Sequence, residues 1–180
     1  MTAPLVLLAP SEDKAPGGKP GRLPETPAQR WVRERLVDLV VHGTPEAQRK
    51  AFDVKEAALE KAKAEALALK GPVPLLPALR RYTGVAFGAL AAEELPETAW
   101  ERVWVLSNLR GLVRGDAPVP PYKLKLAGLP GLKRHWQKAV PPLLAELPPG
   151  PVWALLPLEH EAWLGGWDRP RHTAEIVDAQ

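Results

Sequence analysis

Val103-Trp104-Val105-Leu106-Ser107 decides the class of fold. The run is apolar and uncharged up to its last residue, and too short for a helix, so it reads as a buried strand. Pro4-Leu5-Val6-Leu7-Leu8-Ala9 reads the same way and is stopped by Pro10. Val152 to Leu156 is a third such run, entered through Pro148-Pro149-Gly150-Pro151. Tyr122 to Leu126 alternates large and Lys residues, which predicts a half-exposed strand of period two.

Helical patterns fill the spaces between. Pro27 opens one at its first turn, Trp31, Val32, Leu36, Leu39 and Val40 recur at helical spacing, and Gly43 ends it. Thr44-Pro45-Glu46 starts a second with Thr44 as cap. Val54 to Leu69 is an alanine-rich third, stopped by Gly71-Pro72. Leu75 to Tyr82 and Pro96 to Val103 are also predicted helical. Leu129 to Leu147 is a longer helix with a disturbance at Pro141-Pro142. Ser11 to Pro27 and Gly111 to Pro121 read as loops, and Thr173 to Val177 as a last strand. The order predicts a mixed α/β fold (α+β in its details), a small mixed sheet with helices packed around it, in one domain over residues 1–180.

Composition excludes several classes. The 180 residues include no cysteine, which removes disulfide scaffolds, thiolate metal sites, iron–sulfur clusters and thiol peroxidases. The apolar run near Met1 has no basic lead-in and is too short to span a bilayer, so a soluble cytoplasmic protein with no membrane role is expected. One methionine, one asparagine and 22 prolines suit a thermostable protein, and a GC-rich genome would leave the same bias.

The net charge of +3 conceals an uneven distribution. Residues 99–138 carry eight basic side chains against two acidic ones, interleaved with Trp100, Trp104, Tyr122 and Trp136. The segments before and after it are near neutral and acidic. Clustered cations track phosphates and aromatic faces stack on bases. A solvated basic face over core tryptophans would produce the same counts.

Other motifs are weak. Gly17-Gly18-Lys19 lacks the spacing of a phosphate loop. His42, His135, His160 and His172 are scattered, and Glu159-His160-Glu161 are adjacent and share no face, so no metal site is expected. Ser107 lacks the flanking glycines of a nucleophile elbow.

Four segments together resemble the peroxide-stress YaaA family. They are Ala9-Pro10-Ser11-Glu12-Asp13-Lys14, Arg81-Tyr82-Thr83-Gly84-Val85-Ala86-Phe87, Leu106-Ser107-Asn108-Leu109-Arg110-Gly111-Leu112-Val113-Arg114 with Pro121-Tyr122-Lys123-Leu124, and His135-Trp136. The third is the specific one. The departures include Gly115 where the family has proline after the arginine, and Leu156-Pro157-Leu158-Glu159-His160 where it has Ser and Tyr. Members are usually longer, so the chain is expected to lack the family's C-terminal part.

The resemblance implies a cytoplasmic protein that limits peroxide and iron damage and binds DNA, duplex or damaged, through a basic cleft and a helix-hairpin-helix-like element. Contacts would come from Lys14, Arg110, Arg114, Tyr122, Lys123, Lys125, Lys133 and Arg134. No catalytic residue, cofactor or metal is expected on that reading, and a monomer is favoured. Two alternatives stand beside it. One is an enzyme of unknown reaction that gathers Lys14, Ser107, Arg114, Tyr122 and Glu159 around a small anionic ligand. The other is an inactive remnant scaffold.

Overall fold

The computed structural model describes residues 2–173. In chain order the elements are β1 (Leu5–Leu8), β2 (Lys19–Gly21), α1 (Pro27–His42), α2 (Pro45–Phe52), α3 (Glu56–Ala68), β3 (Val73–Pro77), α4 (Ala78–Arg81), α5 (Val85–Leu90), α6 (Glu97–Trp100), β4 (Val103–Ser107), β5 (Gly111–Arg114), β6 (Pro118–Val119), α7 (Leu132–Ala145), β7 (Val152–Leu155), α8 (Leu158–Glu161) and β8 (Arg171–Thr173). Short 3₁₀ turns lie at Ala92–Glu94 and Leu126–Gly128.

The three apolar runs are three adjacent parallel strands. β1 is central, with β4 on one side and β7 on the other, in the order β5-β4-β1-β7-β8. Leu5 and Leu7 are fully buried on one face of β1, while Val6 and Leu8 point to the other, toward α5. α7, which buries Leu132, Trp136, Val140 and Leu144, packs on β5 and on α1, which buries Val32, Leu36, Val37 and Val40. α1 opens with a capping box: Thr26 accepts from the Gln29 amide and the Gln29 side chain accepts from the Thr26 amide.

Several expectations are corrected. Leu75 to Tyr82 is not one helix. β3 occupies Val73–Pro77, and only Ala78–Arg81 is helical, because Pro74 and Pro77 lack the amide a helix interior needs. β3 joins a small antiparallel sheet in the order β2-β3-β6, where Pro20 faces Pro74 and Pro77 faces Pro118. Proline donates nothing to a ladder. Buried Arg81 supplies the missing donors, bonding the carbonyls of Val119, Gly17, Pro74 and Ala15. The loop predicted for Ser11 to Pro27 therefore contains β2.

Gly111 to Pro121 is not an irregular loop either. β5 returns antiparallel along β4, with Ser107 opposite Gly111 and Trp104 opposite Arg114. Gly111 permits the reversal, having φ +68° and no side chain where Trp136 packs; an added Cβ would meet that ring at 2.6 Å. Tyr122 to Leu126 forms no strand, yet its alternation is real: Tyr122, Leu124 and Leu126 are buried and Lys123 and Lys125 half-exposed. The long helix starts at Leu132 and passes through Pro141-Pro142 unbroken. β8 ends at Thr173, so the rest of the strand predicted to Val177 lies outside the described residues.

Candidate ligand crevice

From β1 the chain crosses to β4 on one side, then to β7 on the other. Strand order thus reverses at β1, and the carboxyl ends of β1, β4 and β7 share one edge. Such a switch point opens a crevice that helices on neither side can fill. The segments leaving the strands line it: Ala9 to Glu12 and Lys14 after β1, Asn108 after β4, and Pro157, Glu159 and His160 after β7. Tyr122 to Leu126 closes the third wall. The cavity is about 140 Å³. On the other side of Ala9-Pro10-Ser11 a wider cleft of about 700 Å³ runs between Thr83–Phe87 and Leu155–Leu158.

Lys14 is held by its backbone and over aromatic rings. Its main chain bridges Tyr82, the Asp13 carbonyl accepts from the Thr83 amide, and Ser11 Oγ accepts from the same amide. Its Nζ stands 4.1 Å from the Tyr122 ring centre and 5.4 Å from that of Tyr82, and donates to the carbonyls of Ser11 (3.1 Å) and Glu12 (3.4 Å). Burial first, then the charge of Lys123, pulls the amine down to about 7. A lysine so placed is half neutral at physiological pH.

Beneath it, Ser107, Tyr82 and Tyr122 form a closed hydroxyl triangle with sides of 2.8, 2.9 and 3.0 Å. Each hydroxyl can donate once around the ring, and Ser107 Oγ also accepts from the Arg110 amide. Burial holds both phenols above their usual range, so both stay protonated. The triangle ties the end of β4 to the two rings that seat Lys14.

His160 has an assignable tautomer. Asn108 donates through Nδ2 to the Leu124 carbonyl, so its Oδ1 accepts from His160 Nε2 at 3.0 Å. The proton is therefore on Nε2, and Nδ1 carries a lone pair with no hydrogen-bond partner among the described residues. Glu159 Oε1 is 3.8 Å from that nitrogen. Burial lowers the imidazole to about 4, keeping it neutral at pH 7.

The eight predicted contact residues fall in different places. Lys14, Tyr122, Lys123 and Lys125 line the crevice. Lys123 reaches Asp13 at 2.9 Å, and Lys125 bonds Glu12 and lies 3.3 Å from Asp53. Arg110 is buried and points inward, bonding the carbonyls of Pro118 and Pro24 and tying the β4–β5 hairpin to the entry of α1. Arg114 forms a forked pair with Asp116 (2.6 and 2.7 Å) and does not line the crevice. Lys133 and Arg134 are exposed in the first turn of α7 and make no ion pair among the described residues.

For the alternative set, Lys14, Tyr122 and Glu159 meet in the crevice, Ser107 is buried behind Tyr122, and Arg114 stands apart. Asn108 and His160 were not among the expected residues. Asn108 stood in the third family-like segment and His160 between Glu159 and Glu161, and neither setting showed that the two side chains meet. Among the described residues no cluster of three His, Asp or Glu is placed to hold a metal, and no helix is long and apolar enough to cross a membrane.

Fold and crevice together define an open α/β protein with a lysine-bearing site at its topological switch point. Residues 5–163 match the family model described as peroxide stress protein YaaA, and the chain belongs to that family. A UPF0246 protein of Corynebacterium efficiens is 33% identical over 153 residues, covering 78% of this chain and 62% of the relative. A UPF0246 protein of Corynebacterium glutamicum is 31% identical over 162 residues, covering 79% and 62%. The chain thus spans less than two thirds of the length of these relatives.

Proposed function

We propose that this chain serves peroxide-stress defence by binding a small anionic molecule in the crevice at the strand ends. The observation that carries the reading is convergence. Lys14, Lys123 and Lys125 come from two separate segments and meet Asn108, Glu159 and His160 at the one edge where this sheet topology leaves room. The ion pairs of Lys123 and Lys125 are partly exposed, hold little energy, and exchange readily for a ligand anion. The test is an amide-resonance titration with small phosphates and carboxylates. Shifts centred on Ser11–Lys14, Asn108 and Lys123–Lys125 are expected; no response, or a response spread over the surface, overturns the reading.

DNA binding has its own support on a different face. Trp31 stacks on His135 with ring centres 4.2 Å apart, and Arg35 lies over the Trp31 ring. Arg30, Lys133 and Arg134 are exposed around this stack and make no ion pair among the described residues. Lys133 and Arg134 also sit at the positive end of a 14-residue helix with no acid in its first turn. Duplex affinity that falls steeply with salt, and less steeply in the Lys133→Ala/Arg134→Ala variant, is the expected result. A salt-independent affinity sinks it.

A further inference from the structure

We infer that Lys14 is an amine nucleophile that condenses with a small carbonyl compound carrying an anionic group, an α-oxo acid in type, to form an imine. The inference rests on reading the crevice as an anion site. A lysine can attack a carbonyl only with a free lone pair, and three features of its surroundings supply one.

The nearby acids are taken by other cations. Asp13 pairs with Lys123, and Glu12 and Asp53 pair with Lys125, so Lys14 has no carboxylate partner among the described residues. Its hydrogen bonds go to two backbone carbonyls, which match the two N–H bonds of a neutral amine and leave the lone pair unused. Burial and the charges of Lys123 and Arg81 oppose protonation and outweigh those of Glu65 and Asp13, and the amine titrates near 7. The cavity beside it, at about 140 Å³, holds about five water volumes, which suits a compound of a few heavy atoms.

The step balances without an oxidant or reductant. The Nζ lone pair forms a bond to the carbonyl carbon as the C=O π pair moves to oxygen, which takes a proton. Nitrogen then gives up its protons as C=N forms and one water leaves. Glu159, exposed on the same cavity wall, can relay these protons. Lys123 and Lys125 face the anionic group at the mouth.

Glyoxylate with cyanoborohydride tests this, since reduction fixes the imine as a stable adduct that peptide mass mapping locates. At pH 7 Lys14 is expected to be labelled about a hundredfold faster than exposed Lys19 and Lys70, with a rate midpoint near pH 7. Lys123→Met removes the neighbouring charge and moves that midpoint upward, whereas Lys14→Met abolishes the fast adduct. Labelling of Lys14 no faster than Lys19 overturns the inference. Glycolate, which has no carbonyl, separates the two levels. If glycolate shifts the crevice resonances while glyoxylate leaves no adduct, the anion site stands and the imine falls. If neither binds, both fall.

Discussion

His160 shows how far one residue's chemistry can be read from its neighbours. Asn108 dictates the tautomer, and burial dictates the charge. Its folded value, about 4, lies below the ordinary 6.5 of an unfolded histidine. As pH falls below 6.5 the unfolded chain takes up a proton that the folded one refuses. Stability is thus full above about 6.5 and drains until about 4, by about 3 kcal/mol at most. His160→Gln is expected to flatten that part of a pH–stability curve measured by urea unfolding. At Tyr122 the expected effect is of similar kind. Tyr122→Phe opens the hydroxyl triangle and leaves buried Tyr82 and Ser107 each one hydrogen bond short, costing about 1–3 kcal/mol in the same measurement. Tyr122 was expected at the site from its family-like segment, whereas the role of His160 was not legible in the sequence. Asn108 and His160 are 52 positions apart, and nothing local says that they touch.

Among the elements, those with a continuous or periodic pattern were legible. The three apolar runs became the three central strands, and the Pro27 and Gly43 signals bounded α1 as expected, with Thr26 adding the cap. The failures share a cause: the stabilising partner lay far along the chain. β5 forms because Gly111 lets it fold back on β4 and because Trp136 packs on that glycine. Gly111→Ala combines a strained positive φ with a Cβ contact of 2.6 Å. It is expected to destabilise by about 2–4 kcal/mol, read from the unfolding midpoint, with loss of the Trp136 near-ultraviolet signal. β3 forms because one arginine completes its hydrogen bonds. Arg81→Met keeps the volume of the side chain but leaves four carbonyls without their donor, so β2, β3 and the Lys14 loop are expected to lose hydrogen-exchange protection before the central sheet does.

For the molecule as a whole, the basic segment divides by direction. Arg110 turns inward, Arg114, Lys123 and Lys125 meet acids, and Lys133 and Arg134 make no ion pair among the described residues. Charge counting located the segment without telling these apart, because side-chain direction is a tertiary property. The crevice also makes a global prediction. A small anion at about 100 times its dissociation constant adds about 2.7 kcal/mol to folding, a rise of about 5–10 °C in Tm for a chain of this size. That rise is expected to vanish in Lys14→Met and to persist in Lys133→Ala/Arg134→Ala, which keeps the crevice and the α7 face separable in one thermal-shift experiment.

The sequence by itself determined the class of layers, the three central strands, the first helices, the concentration of cations in residues 99–138 and the family likeness. These are local quantities: runs, periods, caps and counts act over a few residues and need no distant partner. Tertiary structure alone decided that a proline-rich segment would become a sheet, that a glycine-rich one would become β5, and that Lys14 would lie over two tyrosines beside Lys123. Each depends on desolvation and on hydrogen bonds between groups tens of residues apart, and burial is set only when the layers close.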